Sequence, residues 1–150
     1  GHFYHEPVSG DFSAEVRVSA DYTTLYDQAG LMLRVDPGNW LKTGIEYTDG
    51  AMHFSVVVTR ERYSDWSVIE LPMNAGDGID IRLTRHGEAV RVQFRLLQQP
   101  WRMARLAMLA MPEKVAVGVM ACTPERAGLK VRFDGFRIGP AIARSLHDDT

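Results

Sequence analysis

The sequence has one cysteine, Cys122, and no second thiol to oxidise it with, so an intramolecular disulfide is excluded. Its setting, VMACTP, reads as a strand end and not as a redox motif, which predicts a buried structural thiol in a reducing compartment. No stretch approaches the roughly 18 consecutive apolar residues of a membrane helix. The first residues, GHFYHEPVSGDF, lack the basic and apolar regions of a signal peptide. A net charge of -2 gives no general attraction to nucleic acid or to an anionic membrane, and the strand arginines that argue otherwise are interleaved with carboxylates. The five histidines, at 2, 5, 53, 86 and 147, are scattered and lack metal-ligand spacing. Neither a Gly-rich phosphate loop nor a Ser-His-Asp signature occurs. These absences predict a soluble, cytoplasmic protein with no cofactor, no metal, no nucleic-acid partner and no membrane partner. The chain begins with Gly1 and has no methionine before Met32, as expected of a fragment or a processed form.

What is present is alternation. In DFSAEVRVSA, Phe12, Ala14, Val16 and Val18 point one way and Ser13, Glu15, Arg17 and Ser19 the other, the period-2 pattern of a strand with one buried face. GLMLRV and WLKTGIEY repeat it around the turn Asp36-Pro37-Gly38-Asn39, and AMHFSVVVTRE follows the turn pair Asp49-Gly50. GIDIRLTRHGEAVRVQFRL reads as a second hairpin about His86-Gly87-Glu88, and KVAVGVMAC and LKVRFDGFRIG as two more strands. The segment WRMARLAMLAM, between prolines 100 and 112, is expected as a short strand or a helical turn. Roughly eight or nine strands without intervening helices argue one all-β domain over residues 1–150, an antiparallel sandwich or barrel, ending in a polar C-terminal tail over 140–150. At 150 residues such a domain buries roughly 70% of its unfolded surface and needs no staples.

Three ordered blocks, YDQAGLMLRVDPGNWLKTGIEYTDG, SVVVTRERYSDWSV and VRFDGFRIG, resemble the regulation-of-enolase family of concanavalin A-like proteins, a domain of unknown function. The likeness covers about Gly10 to Gly139. It implies a concanavalin A-like jelly-roll β-sandwich of two antiparallel sheets, and it implies no established activity. Members of the family carry further sequence upstream, including a Phe-Trp pair. Those strands are missing here, so the chain is expected to be shortened or to leave a sheet edge for another segment or subunit to cover.

Alternation then assigns faces. With Leu31, Leu33 and Val35 inward, Arg34 points outward; Lys42 and Glu46, and then His53, Ser55 and Thr59, join it in a polar stripe over three neighbouring strands. On the concave face of a jelly roll a sugar would lie along such a stripe. An ordinary solvated face with cross-strand ion pairs, each contributing ~0.2–1 kcal/mol, explains the same residues equally well. Asp27 and Gln28, at a strand entrance, either satisfy loop amides or hydrogen-bond sugar hydroxyls. YSDWSVIELP, after the strand ending in Arg60, reads as a connection between strands, with Ser64 and Asp65 at a turn. Its Trp66 is the best stacking platform of the three tryptophans, whereas Trp40 is expected to pack.

The reading that follows is noncatalytic recognition of a carbohydrate or other polyhydroxylated ligand, with Asp27, Gln28, Arg34, Glu46 and Thr59 as polar contacts and Asp65 and Trp66 at the rim. The alternative is a protein interaction or oligomerisation module that uses an uncovered sheet edge and the Met-rich segment Met103 to Met111 to form a homo-oligomer. A glycan-processing hydrolase is least favoured. Concanavalin-like hydrolases place two Glu residues close together on one strand, in Glu-x-Asp-x-x-Glu or related spacing, which this chain lacks. No catalytic residue is assigned.

Overall fold

The computed structural model describes residues 2–20, 26–48, 50–72, 77–122 and 131–143, with backbone alone at 2, 20, 26, 27, 48 and 122. Among them are eleven strands and no helix: β1 (His2–Ser9), β2 (Phe12–Ala20), β3 (Tyr26–Asp36), β4 (Asn39–Thr48), β5 (Ala51–Arg60), β6 (Tyr63–Leu71), β7 (Ile79–His86), β8 (Ala89–Leu96), β9 (Arg102–Met108), β10 (Lys114–Cys122) and β11 (Val131–Gly139). They form two antiparallel sheets, ordered β1-β10-β3-β4-β5-β6 and β11-β2-β7-β8-β9.

The apolar half of each alternating strand faces the other sheet. Leu33, Leu41 and Val58 lie in one register row of the larger sheet, and Val16, Ile81 and Phe94 in one row of the smaller. All six are buried in the shared core. Phe54 of the first sheet stacks on Phe94 of the second with ring centroids 4.5 Å apart, which ties the two layers at their centre. The expected jelly-roll sandwich is therefore the observed one.

Two elements differ from expectation, and a third resolves an open choice between strand and helical turn. The N-terminal GHFYHEPVSG, not read as a strand, supplies β1, an edge of the larger sheet paired from His2↔Ala121 to Ser9↔Lys114. WRMARLAMLAM supplies a strand, β9, whose register shifts between Val92 and Gln93 of its neighbour. YSDWSVIELP is not a connection but the edge strand β6, paired with β5 from Arg60↔Tyr63 to Met52↔Leu71.

The turn before β6 is made by Glu61 and Arg62, both with positive φ, 49° and 72°. That is the handedness a two-residue hairpin needs, although Asn and Gly usually supply it. The strain is offset by docking onto the preceding hairpin. Glu61 N donates to Asn39 Oδ1 and Arg62 N to the Gly38 carbonyl, each at 2.9 Å. Asp36 in turn accepts from Gly38 N at 2.8 Å and from Asn39 Nδ2 at 3.0 Å, so one Asx turn holds both hairpin tips.

Candidate functional site

The face of the larger sheet turned away from the core carries three complete rows. His5, Gly118, Met32, Lys42, Val57 and Trp66 form one; Phe3, Met120, Gly30, Gly44, Ser55 and Val68 the next; Pro7, Ala116, Arg34, Trp40, Thr59 and Ser64 the third. Beyond the second row, Glu46, His53 and Glu70 stand opposite one another.

Burial across this face is uneven. Ser55 is 1%, Met120 2%, Thr59 4% and Gln28 7% exposed although none belongs to the inter-sheet core. The margins are open: His5 and Pro7 on β1, and Ser64, Trp66, Val68 and Glu70 on β6. We call this buried middle between exposed rims the trough. Its floor is backbone at Gly30 and Gly44, which sit opposite each other; a Cβ on Gly44 would lie 2.0 Å from the Ala29 carbonyl oxygen. Only glycine permits that approach.

Polar groups line the trough. Gln28 lies within a register shift between Tyr26 and Ala29 of β3 and reaches over β4 to β5, where its Nε2 donates to Ser55 Oγ at 2.6 Å. Thr59 and Ser64 share a hydroxyl hydrogen bond of 2.7 Å between β5 and β6. Lys42 Nζ lies 4.6 Å from the centroid of the Trp40 ring, so Trp40 is part of this face and not of the core. His53 Nδ1 is buried without a hydrogen-bond partner.

Of the residues expected to bind, Gln28, Arg34, Glu46, Thr59 and Trp66 share this face. Trp66 is 65% exposed on its rim. Asp65 does not share it. The residue after it in the strand points the other way, and Asp65 sits in the seam between the sheets. There it accepts from Arg60 Nη1 at 2.6 Å and lies 3.5 Å from Arg105 Nη2, while Arg105 donates to Ser67 Oγ at 3.1 Å. The side chain of Asp27 lies outside the described residues, as does that of Cys122. Sequence reasoning did not include Glu70, because β6 was read as a connection, nor His5 and Lys114, because β1 and the β10 register were not foreseen.

Chemically, the trough holds amide and hydroxyl groups paired with one another, Gln28 with Ser55 and Thr59 with Ser64, and a flat exposed ring at one rim. The strands that carry Glu46 and Glu70 are two strand spacings apart, about 10 Å, with His53 between them. Among the described residues no group of three His, Cys, Asp or Glu side chains is placed to hold a metal ion. No helix of these residues is long and apolar enough to cross a membrane.

The family described as "Protein of unknown function (DUF1349)" matches residues 1–141. The chain belongs to that family. Within reach of this DUF1349 chain is Regulation of enolase protein 1 of Saccharomyces cerevisiae, 42% identical over 148 residues, which span 99% of this chain and 74% of the yeast protein. The crystal structure of a functionally unknown protein from the same yeast superposes with a TM-score of 0.86 at 40% identity, over 95% of this chain and 76% of that one. Two remoter structures share the DUF1349 fold alone. The carbohydrate-binding module CBM66 from Bacillus subtilis gives a TM-score of 0.62 at 10% identity, over 89% of this chain and 77% of the module. A mutant of the GH43 protein BlXynB from Bacillus licheniformis gives 0.72 at 17% identity, over 87% of this chain but 27% of the larger protein.

Proposed function

We propose that the trough of the larger sheet binds a carbohydrate without cleaving it. The observation that carries this reading is the exposed indole of Trp66 at the rim of a face whose middle holds Gln28, Ser55 and Thr59. An exposed ring costs hydrophobic free energy unless it meets a ligand, and the C–H side of a sugar ring suits it. The hydroxyls and amide below match the mixed donor and acceptor demand of sugar hydroxyls, and the orphan His53 Nδ1 gains a partner when one arrives. The shared fold with a carbohydrate-binding module supports the reading by analogy, as a scaffold used for this purpose elsewhere. Asp27, on the same strand as Gln28, remains in the proposed contact set; Asp65 serves the seam beneath the rim. A cytoplasmic setting belongs to the same proposal, since a lone cysteine suits a reducing compartment.

The test is titration calorimetry against neutral and acidic oligosaccharides with wild type, Trp66→Ala and Glu46→Ala. Binding that weakens at least tenfold in both variants, with an unchanged fold, supports the site. Binding indifferent to both substitutions removes it.

A second reading rests on β9. This edge strand exposes Met103, Leu106 and Met108, and a second copy of the chain pairing there would cover them. A concentration-dependent dimer in sedimentation, lost in Leu106→Glu, favours it.

A further inference from the structure

Charge is unevenly distributed along the trough. Glu46 and Glu70 stand at one end of the strands, whereas Arg34 and Lys42 lie diagonally across the β3-β4 pair toward the other. Beside Arg34, the β1-β10-β3 margin forms a depression of about 260 Å³ lined by His5, Pro7, Arg34, Val35, Lys114, Val115 and Ala116. Its lining holds three basic side chains and no carboxylate. Six of the other described arginines pair with an acid, Arg17 and Arg95 with Asp80, Arg60 and Arg105 with Asp65, and Arg132 and Arg137 with Asp134 and Glu15, while Arg85 is taken up by backbone carbonyls and Arg102 lies over the Phe94 ring. Arg34 and Lys114 belong to no such pair among the described residues. Asp36, two residues from Arg34, feels the Arg34 charge but accepts its hydrogen bonds from Gly38 N and Asn39 Nδ2, and neither it nor Glu113, which precedes Lys114, lines the depression. Glu6 of β1 stands in register with Val117 and so belongs to the opposite face.

We propose, resting on the reading of this trough as a carbohydrate site, that its glycan is anionic and that Arg34 and Lys114, with His5 beside them, hold a carboxylate or phosphate on it. A guanidinium offers a planar fork that binds either oxyanion through two hydrogen bonds, and the lysine adds a compact charge. Three strand spacings separate β3 from β6, about 14 Å. A ligand that touches both Arg34 and Trp66 is therefore an oligosaccharide lying across the strands, stacked at the β6 rim and carrying its acidic group toward β10. Lys42, seated on Trp40 between the two, lies along that path.

The experiment measures affinity for oligogalacturonate, for the same oligosaccharide with its carboxyls reduced to alcohols, and for a phosphorylated mannan oligosaccharide, at low and moderate salt. At least one anionic glycan is expected to bind tenfold or more tightly than the neutral one, with the preference shrinking as salt rises. Which of the two binds separates a uronate from a sugar phosphate. Arg34→Gln and Lys114→Gln are expected to cut the anionic-to-neutral ratio below about threefold, and Trp66→Ala to weaken every glycan that binds. Equal binding of neutral and anionic glycans, lost in Trp66→Ala, overturns this inference and leaves the carbohydrate reading standing. A charge preference that survives both basic-residue variants overturns it too. Binding to no member of the set, or binding that ignores Trp66→Ala, overturns both.

Discussion

Gln28 and Ser55 meet across an intervening strand: the amide of Gln28 on β3 donates to the hydroxyl of Ser55 on β5 at 2.6 Å, and β4 passes beneath. The crossing is possible because β4 presents Gly44 at the point that stands in register with Ser55. The hydrogen bond is buried, which makes it a fixed element of the trough and not a loose surface contact.

Gly44→Ala tests how much the trough depends on that absence of a side chain. The new Cβ would lie 2.0 Å from the Ala29 carbonyl and 2.8 Å from the Gly30 Cα, both backbone atoms that move only with the strand. Overpacking against backbone is expected to destabilise by about 3 kcal/mol or more. Chemical denaturation gives the number, and a loss under 1 kcal/mol would show that the two strands separate easily.

Trp66 and Asp65 are neighbours in sequence and opposites in role. Trp66→Ala is expected to change stability by less than about 0.5 kcal/mol, because the ring is mostly exposed, yet to remove glycan binding. Asp65→Ala breaks exposed ion pairs to Arg60 and Arg105, which contribute under about 1 kcal/mol, and leaves binding as it was. Parallel denaturation and calorimetry check both; glycan binding lost in Asp65→Ala would place the ligand in the seam.

How much of this was legible before the structure follows from where the code is local. Period-2 alternation placed Leu33, Leu41 and Val58 inward and Arg34, Glu46 and Thr59 outward, because one face of each strand is apolar. The Asp36 to Asn39 turn was legible for the same kind of reason, a Pro and a Gly where the backbone asks for them. The β5-β6 turn was hidden: Glu61 and Arg62 give no turn signal, and their positive φ is held by hydrogen bonds that their amides donate to Asn39 and Gly38, more than 20 residues earlier. Ser64 and Asp65 then took the turn by composition, which moved Asp65 to the wrong face. β1 was missed because Pro7 and the polar His5 and Glu6 suit an edge strand and mask its alternation.

Acid should weaken the ion-pair row on the outer face of the smaller sheet. Burial pushes the Asp80 carboxyl up, but hydrogen bonds from Arg17 and Arg95, at 2.8 Å each, and their charges outweigh it and hold the carboxyl below its ordinary value. A folded-state value below the unfolded one means stability that is complete above the unfolded carboxylate range and lost as pH falls through the folded value. Asp80→Asn should cost about 1–2 kcal/mol at neutral pH, at the low end for a charged hydrogen-bond pair because both arginines are more than a third exposed. The gap between wild type and variant should narrow as pH drops below about 4. A gap constant from pH 7 to pH 2 would show that the carboxylate charge contributes nothing.

The strained turn gives the last prediction. Two non-glycine residues in the left-handed region cost roughly 1–2 kcal/mol each, and the compensating bonds to Asn39 and Gly38 use only the backbone amides of Glu61 and Arg62. Replacing the pair with Glu61→Asn and Arg62→Gly keeps those amides and removes the steric cost. The double variant should gain about 1 kcal/mol, a rise in Tm of about 2–4 °C for a chain of this size. Because β6 keeps its register with β5, glycan affinity should not change. A destabilised double variant would mean that the Arg62 side chain, whose Cγ packs beside Gly38, contributes more to the docked hairpins than its backbone conformation costs.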